Sequence, residues 1–226
     1  MTDTPTAAPR LRSRLAAVRL YVVTDAGHEP GRVLDTVRAA CAGGADAVQL
    51  RRKGDQGLET LRLAEACREV TATAGVLFLV DDRVDVAMAV DADGVHLGQD
   101  DLPVAAARRL WPQRIVGRST HSLGQALAAW REGADYIGVG PVYATPTKPG
   151  RPPVGVELIR GVAEVGLGIP WVAIGGIDAS NASAVVAAGA PALAVVRAVT
   201  GASDPAAAAT ELRRLVVPAA PATAPA

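Results

Sequence analysis

The sequence has few of the features that mark secreted or membrane-bound proteins. Only two of its 226 residues are cysteine. Cys41 and Cys67 lie far apart in helical-looking stretches, which predicts free thiols and neither a disulfide framework nor a zinc site. No apolar run is long enough to span a bilayer, and the N-terminal residues lack the apolar segment of a secretory signal. These absences predict a cytoplasmic protein with no membrane partner.

The sequence also lacks net charge, with 23 Lys and Arg residues against 23 Asp and Glu residues. This balance argues against a nucleic-acid-binding protein or a membrane-surface protein, since both usually carry a basic patch. Half of the residues are apolar, which is enough for a sizeable core in one domain. The expected partners are therefore small molecules, and a homo-oligomer stays open.

Both ends of the chain differ in composition from its middle. The first residues carry arginines and two prolines, and the ending "VVPAAPATAPA" is an Ala/Pro low-complexity stretch. The sequence therefore predicts a flexible N-terminal segment over 1–15, a single catalytic domain over 16–217 and a disordered tail over 218–226.

Short apolar runs rich in β-branched residues recur through the middle of the chain, each followed by a helical pattern. The strand candidates are "LYVVTD" (20–25), "AVQLR" (47–51), "VLFLVDD" (76–82), "GVHLGQ" (94–99), "IVGRST" (115–120), "YIGVGP" (136–141), "WVAIGG" (171–176) and "ALAVVRA" (192–198). Strands this short and apolar suit a parallel sheet that is covered on both faces. Eight such units predict an α/β protein with a (β/α)₈ TIM barrel. An open doubly wound sheet is the alternative, but no G-x-G-x-x-G follows the first strand.

The intervening stretches carry helix signals. Residues 58–70 repeat apolar residues at three- and four-residue spacing, and residues 122–133 open with Ser122 as a plausible N-cap and close on Gly133. Residues 178–189 behave similarly. The signals "GGAD", "EGAD" and "AAGA" recur where a helix must stop and turn directly into the next strand.

Polar residues cluster where the predicted strands end, and in TIM barrels the chemistry lies at these carboxyl ends. Following the strands in order, the candidates are Gln49, Arg51, Lys53, Asp81, Asp82, Arg83, His96, Gln99, Asp100, Asp101, Ser119, Thr120, His121, Thr145, Thr147, Lys148, Gly175, Gly176 and Arg197. Cations beside carboxylates from neighbouring strands predict a polyphosphate bound through a divalent ion. Mg²⁺ fits best, because it takes one or two protein carboxylates and leaves its other positions to water and phosphate oxygens.

Each of these signals also has a purely structural interpretation. Arg51 and Lys53 could belong to a solvated loop, and Asp82 could cap the helix that follows it. His96 lies in a strand and is more often structural than catalytic, whereas both interpretations of His121 stay open. The functional interpretation depends on the residues occurring together at the same ends of six strands.

Several longer pieces identify a resemblance. "VQLRRKG", "VDDRVDVA", "DGVHLGQDDLP", "GRSTHS", "GADYIGVGPVYATPTKPGRPPVG" and "AIGGI" follow one another in the order of the thiamine phosphate synthase family, also called thiamine-phosphate pyrophosphorylase. The chain resembles this family over nearly its whole length apart from the two tails. "IGGI" alone occurs in other phosphate-binding barrels, but the combination is specific.

The resemblance implies a reaction for a transferase of thiamine biosynthesis. The family joins 4-amino-2-methyl-5-(diphosphooxymethyl)pyrimidine to a carboxylated thiazole phosphate and releases thiamine phosphate and pyrophosphate. Its mechanism is dissociative and Mg²⁺-assisted: pyrophosphate leaves first, and the uncharged thiazole nitrogen attacks the resulting pyrimidine-methyl cation. The protein must therefore stabilise a departing anion, and no strong base is required.

The resemblance also implies roles for individual residues. Arg51, Lys53, Ser119 and Lys148 are the expected catalytic residues. The substrate-binding set is Gln49, Arg51, Lys53, Asp81, Ser119, Thr145, Thr147, Lys148, Gly176, Val196 and Arg197. In that set Ser119 hydrogen-bonds the pyrimidine or its leaving group, and Gly176, Val196 and Arg197 bind the thiazole phosphate. Asp82 and Asp101 are the expected Mg²⁺ ligands.

Three positions depart from the family pattern. Asp81 stands where the family usually has Asn, and a second carboxylate there should repel the diphosphate unless it joins the metal or is protonated. Arg52 replaces a common acidic residue but should point away from Arg51. Arg197 replaces a common Ser, and an arginine can bind a phosphate bidentately.

Two other functions stay open at this point. A thiazole tautomerase of the same family would use His121 as an acid and base, but it would need no diphosphate site. A non-catalytic thiazole-phosphate-binding barrel could have lost turnover through Asp81. The proline-rich loop over 143–155 carries hydroxyls and one ammonium, and we expect it to close over the site and exclude water.

Overall fold

The computed structural model describes residues 7–54, 57–147 and 150–216. Within these ranges, parallel strands pair in chain order, and the last pairs with the first to close a barrel. The strands are β1 (Leu20–Val23), β2 (Ala47–Leu50), β3 (Leu77–Asp81), β4 (Gly94–Leu97), β5 (Ile115–Thr120), β6 (Tyr136–Val139), β7 (Trp171–Ile174) and β8 (Leu193–Val195). The eight predicted strands and the predicted TIM barrel are therefore confirmed.

Helices lie between and around these strands. In the described ranges they are α1 (Pro9–Ala16), α2 (Pro30–Ala42), α3 (Gly57–Ala74), α4 (Val84–Ala89), α5 (Val104–Leu110), α6 (Leu123–Arg131), α7 (Gly155–Val165), α8 (Ala182–Ala187), α9 (Arg197–Thr200) and α10 (Pro205–Val216). Ser122 caps α6 as predicted, because its hydroxyl accepts the Gln125 N–H at 3.2 Å. Gly133 follows the helix with φ 84°, a conformation that suits glycine.

The core has two layers, because side chains alternate along each strand. The outer layer packs between the sheet and the helices and includes Val22, Val48, Phe78, Val80 and Val116. The inner layer fills the barrel and includes Tyr21, Ala47, Leu79, Ile115 and Tyr136. Because both layers are buried, the strands carry apolar residues on both faces.

Of the segment over 1–15 that was predicted to be flexible, residues 1–6 lie outside the described residues, and the rest contains a helix. Pro9–Ala16 form α1, and Leu11 and Leu15 are buried with the inner barrel layer. The two leucines are four residues apart and therefore share one helix face, while Pro9 suits the first helical turn. The arginines hide this short amphipathic pattern in the sequence. The predicted tail over 218–226 lies outside the described residues.

Three aspartates fasten the amino-terminal ends of the strands. Asp46, Asp93 and Asp135 each precede a strand and accept a backbone N–H of the strand before it, from Leu20 at 3.0 Å, Phe78 at 2.8 Å and Val116 at 2.8 Å. Each also pairs with an arginine: Arg213, Arg68 and Arg108, respectively. At Asp46 and Asp135 the Gly-Ala-Asp signal therefore ends a helix and also anchors this rim of the barrel, whereas Asp93 follows Asp91 and Ala92.

The cysteines and the helices bear on two expectations from composition, free thiols and the absence of a membrane span. Cys41 and Cys67 are both free, as predicted, and Cys67 is fully buried. Among the described residues, we find no helix with the length and apolar content needed to span a bilayer.

Candidate active site

A cleft of about 420 Å³ opens at the carboxyl ends of the strands. The predicted site residues that line it are Gln49, Arg51, Asp81, Ser119, Thr145, Thr147, Gly176, Val196 and Arg197, and His96 and His121 also line it. The barrel therefore brings together residues from seven different strand ends. Lys53, Asp82 and Asp101 do not line this cleft, but Lys53 contacts its wall at Asp81.

Lys53, Asp81 and Asp82 form a charged cluster after β2 and β3. The Lys53 Nζ atom lies 3.1 Å from Asp81 Oδ2 and also contacts Asp82 Oδ2. Partial burial lowers the pKa of Lys53, but the contacts with Asp81 and Asp82 together outweigh it, so the pKa is raised. The cluster keeps a cation and two carboxylates at one edge of the cleft, as the residue types predicted.

Asp82 and Asp101 lie close enough for their side chains to hydrogen-bond. Burial, the Asp81 charge and the Asp101 contact together raise the pKa of Asp82 from 3.8 to about 6. Asp82 also has φ 59°, a left-handed conformation that is costly for a residue with a side chain and that occurs often at functional sites. The predicted juxtaposition of these two aspartates is therefore present in the structure.

The structural interpretation of Asp82 as a helix cap does not hold. The N-cap residue of α4 is Arg83, and no side-chain bond caps this helix. In the described ranges, no three His, Cys, Asp or Glu side chains surround a common point that could hold a metal ion. Two neighbouring carboxylates without a third ligand fit Mg²⁺, which fills its remaining positions with water and phosphate oxygens.

Arg51 and Arg52 point to opposite sides of the chain. Arg51 lines the cleft, and its Nε atom lies 3.7 Å from Asp81 Oδ2. Thr24 holds the Arg51 backbone, because its Oγ1 atom accepts the Arg51 N–H at 2.9 Å. Arg52 instead contacts Glu59 at 2.9 Å and the His28 carbonyl at 2.8 Å. The prediction that Arg52 points away from Arg51 is confirmed.

A chain of buried hydrogen bonds lies beneath the cleft. It runs through the side chains of Asp81, Gln49, Tyr21, Tyr136, His96 and Ser119. Sequence reasoning missed Tyr21 and Tyr136. The available signal was a phenol with a polar tip in each of two otherwise apolar strands, since such a tip needs a partner when buried.

The glycines after β7 let their backbone pack close to the proline-rich loop over 143–155, which follows β6 and is called the strand-6 loop below. Gly175 and Gly176 have φ values of 106° and 64°. A Cβ atom on Gly176 would lie 2.7 Å from Tyr143 Cβ and 2.8 Å from the Ala144 carbonyl oxygen, so a side chain does not fit. Val196 and the exposed Arg197 complete this end of the cleft.

The strand-6 loop is tied down where it begins and ends. Val154 N–H donates to the Pro141 carbonyl at 2.8 Å, and Gly155 N–H donates to the Val142 carbonyl at 3.1 Å. Thr147 lines the cleft, and its buried Oγ1 atom has no hydrogen-bond partner among the described residues. A buried hydroxyl that faces a cleft in this way is suited to a ligand. The predicted Lys148 lies outside the described residues.

His121 also borders the cleft. Its Nδ1 atom contacts the Gly140 carbonyl oxygen, and its backbone N–H donates to Gln125 Oε1 at 2.7 Å. The carbonyl contact places the Nδ1 proton toward the barrel wall and orients the ring.

The sequence matches known proteins over most of its length. Residues 20–199 match the family described as thiamine monophosphate synthase. The chain is 50% identical over 208 residues to a thiamine-phosphate synthase of Mycolicibacterium vanbaalenii, covering 88% of this chain and 94% of the relative. It is 52% identical over 200 residues to a thiamine-phosphate synthase of Chloroflexus aurantiacus, covering 88% and 92%.

Solved structures also match this chain over most of its length. A thiamine phosphate pyrophosphorylase from Pyrococcus furiosus matches with a TM-score of 0.81 at 43% identity, covering 91% of this chain and 97% of that chain. A 3-hexulose-6-phosphate synthase matches with a TM-score of 0.64 at 20% identity, covering 88% and 100%. The second likeness supports the barrel fold alone.

Proposed function

The chain belongs to the thiamine monophosphate synthase family, and we propose that its cleft performs the family's reaction with the residues described above. The chain is a transferase that joins the pyrimidine diphosphate to the thiazole phosphate and releases pyrophosphate. One observation carries the assignment of roles: a charged cluster and a glycine-lined pocket lie at the same mouth of the barrel.

Arg51 and Lys53 act on the leaving diphosphate in this proposal. Negative charge develops on that group as its bond to the pyrimidine-methyl carbon breaks, and fixed cations stabilise this charge. Asp81 already holds both cations, at 3.7 Å from Arg51 and 3.1 Å from Lys53. Asp81 thereby balances the cations before the diphosphate arrives, and it orients them for binding.

Asp82 and Asp101 would hold Mg²⁺ beside these cations. Their side chains lie within hydrogen-bonding distance of each other, and a bound cation would offset the burial and the carboxylate contacts that raise the pKa of Asp82. When bound, Mg²⁺ supplies positive charge to the phosphate oxygens. Lys53 would then turn from Asp82 toward the diphosphate, because one contact of its ammonium is with that carboxylate.

The thiazole phosphate binds at the other end of the cleft in this proposal. Thr145 and Thr147 meet the thiazole, and the phosphate lies against Gly176, Val196 and Arg197. Gly176 lines this end of the cleft, and its lack of a side chain lets the backbone at Tyr143 and Ala144 pack directly against it. Lys148, assigned by its motif alone, contacts the diphosphate from the strand-6 loop.

Release of pyrophosphate tests the proposal. The purified chain is incubated with Mg²⁺ and with each substrate singly and together, and pyrophosphate and thiamine phosphate are both measured. We expect rapid release only when both substrates are present. Isomerisation of the thiazole carboxylate without pyrophosphate release would indicate a tautomerase that uses His121. Binding of the thiazole phosphate without any turnover would indicate a non-catalytic barrel.

A separate assay tests the closing loop. A Lys148→Ala variant should couple the substrates more slowly and should hydrolyse a larger share of the pyrimidine diphosphate, since water would reach the cation more easily. Unchanged coupling would remove Lys148 from the mechanism.

A further inference from the structure

In the hydrogen-bond chain under the cleft, each bond has a defined donor and a defined acceptor, which together give the chain a direction. It joins two cleft-lining residues, Asp81 and Ser119, through the interior of the barrel. The distances are 2.5 Å from Gln49 Nε2 to Asp81, 3.1 Å from Tyr21 to Gln49 Oε1 and 2.8 Å between the two tyrosine hydroxyls. Tyr136 then lies 2.8 Å from His96 Nδ1, and Ser119 lies 2.9 Å from His96 Nε2. All of these side chains are at least nine-tenths buried.

The assignment of donors and acceptors starts at Asp81. A carboxylate only accepts hydrogen bonds, so Gln49 must turn its NH₂ group toward Asp81 and its oxygen toward Tyr21. A flipped amide would place two acceptors 2.5 Å apart. Tyr21 therefore donates its single hydroxyl proton to Gln49 and can only accept from Tyr136.

The same argument continues through the histidine. Burial raises the pKa of both Tyr21 and Tyr136, so each hydroxyl keeps its one proton. Tyr136 donates that proton to Tyr21 and must accept from His96 Nδ1–H. In the neutral imidazole the Nε2 atom then has only a lone pair, and it accepts the Ser119 hydroxyl proton.

We propose that Asp81 sets the direction of this hydrogen-bond chain, and that Tyr21, Tyr136 and His96 are positioning residues that present Ser119 to the cleft as a hydrogen-bond acceptor. An acceptor binds the 4-amino group of the pyrimidine and is repelled by a diphosphate oxygen. The proposal rests on the proposed function, and it decides which of the two groups Ser119 contacts. The proposal also explains what Asp81 does where the family usually has Asn. A carboxylate only accepts and so fixes the chain's direction, whereas an amide could donate as well as accept.

The tautomer of His96 tests the direction without any substrate. Nitrogen NMR of ¹⁵N-histidine-labelled protein distinguishes protonated from unprotonated ring nitrogens, and a His96→Gln variant identifies the His96 signals. We expect a proton on Nδ1 and none on Nε2 at neutral pH. In Asp81→Asn the direction is no longer imposed, and we expect a mixture of tautomers. A proton on Nε2 in the unaltered protein, in either a neutral or a charged ring, would overturn the proposal.

Substrate discrimination tests the consequence for Ser119. The ratio of kcat/KM for the 4-amino substrate to that for its 4-oxo analogue should be at least ~100-fold, because the oxo group faces an acceptor. Tyr136→Phe interrupts the chain and should reduce this ratio by about 10-fold. Tyr143→Phe is the matched control, since Tyr143 is the third tyrosine and belongs neither to the chain nor to the cleft lining. An unchanged ratio in Tyr136→Phe would overturn the proposal.

The two tests separate this proposal from the proposed function. If the chain fails to couple the two substrates, the function is wrong, while the His96 tautomer still reports on the direction of the chain. If coupling is normal and Nε2 carries a proton, the function stands and the role of the buried chain is wrong.

Discussion

The side chains of Asp82 and Asp101 lie within hydrogen-bonding distance of each other, although they follow different strands of the barrel. Asp82 reaches this position only through a left-handed backbone conformation with φ 59°. Lys53 offsets part of the repulsion between the carboxylates, yet the pKa of Asp82 stays raised. This arrangement is consistent with a site whose occupant carries positive charge.

Substitution of Asp82 should weaken metal binding. Asp82→Asn removes one of two carboxylates, and we expect the affinity for Mg²⁺ in the presence of pyrophosphate to fall by roughly 100-fold or more. Titration calorimetry measures this. Asp100→Asn is the matched control, because Asp100 is an exposed neighbour of Asp101. Equal affinities in the two variants would contradict the assignment.

The metal-free protein should show a specific pH dependence of stability. The pKa of Asp82 is raised to about 6 in the folded chain from 3.8, so the folded chain binds this proton more tightly than the unfolded chain does. The resulting stabilisation is full below 3.8 and is lost as the pH rises through about 6. Asp82→Asn should therefore raise the melting temperature in EDTA at pH 8 and leave it nearly unchanged at pH 4.

Asp85 provides a control of opposite sign for this measurement. The hydrogen bond from Arg83 lowers the pKa of Asp85, so its contribution to stability is present above the unfolded-state value and is lost as the pH falls. Asp85→Asn should lower the melting temperature slightly at pH 8. A lower melting temperature for Asp82→Asn at pH 8 would contradict the prediction.

Thr147 should matter for the thiazole substrate. Its buried Oγ1 atom lacks a hydrogen-bond partner among the described residues and lines the cleft. Thr147→Val keeps the shape and removes the hydroxyl, and we expect KM for the thiazole phosphate to rise about 10-fold. Steady-state kinetics measure this. Thr147→Ser should retain most of the affinity, and an equal rise in both variants would argue against a hydroxyl contact.

Gly117 should be required for the packing of Tyr136. A Cβ atom on Gly117 would lie 2.2 Å from the Tyr136 ring and 2.7 Å from His96 Nδ1. Gly117→Ala should therefore lower the free energy of unfolding by about 1–3 kcal/mol. Urea denaturation measures this, with Gly138→Ala as the control, because its Cβ atom would approach His96 no closer than 3.4 Å. Equal losses in the two variants would contradict the explanation.

The buried ion pair at the amino-terminal rim should contribute strongly to stability. The Arg108 Nη2 atom lies 2.5 Å from Asp135 Oδ2, and both side chains are almost fully buried. Asp135→Asn leaves the arginine charge unpaired and should cost about 3–5 kcal/mol in the free energy of unfolding. Asp35→Asn breaks the exposed pair with Arg38 and should change it by at most about 1 kcal/mol. Similar losses would contradict this account of the rim.

The sequence predicted the barrel well, because the evidence for it is local. Each strand is a short apolar run, and helix signals such as Ser122 lie within a few residues of the structure that they start. It did not predict α1, because two leucines among arginines give too weak a pattern. The face to which each strand residue points was not predictable either, because both faces of a barrel strand are buried.

The sequence by itself determined the order of strands and helices and which residue types stand at the strand ends, since both depend on neighbouring residues along the chain. Only the tertiary structure brought Asp82 to Asp101 and joined Tyr21 to Tyr136, which are 115 positions apart. The physical reason is closure. Pairing β1 with β8 turns one face of every strand inward, and side chains that share no local pattern then meet across the interior of the barrel.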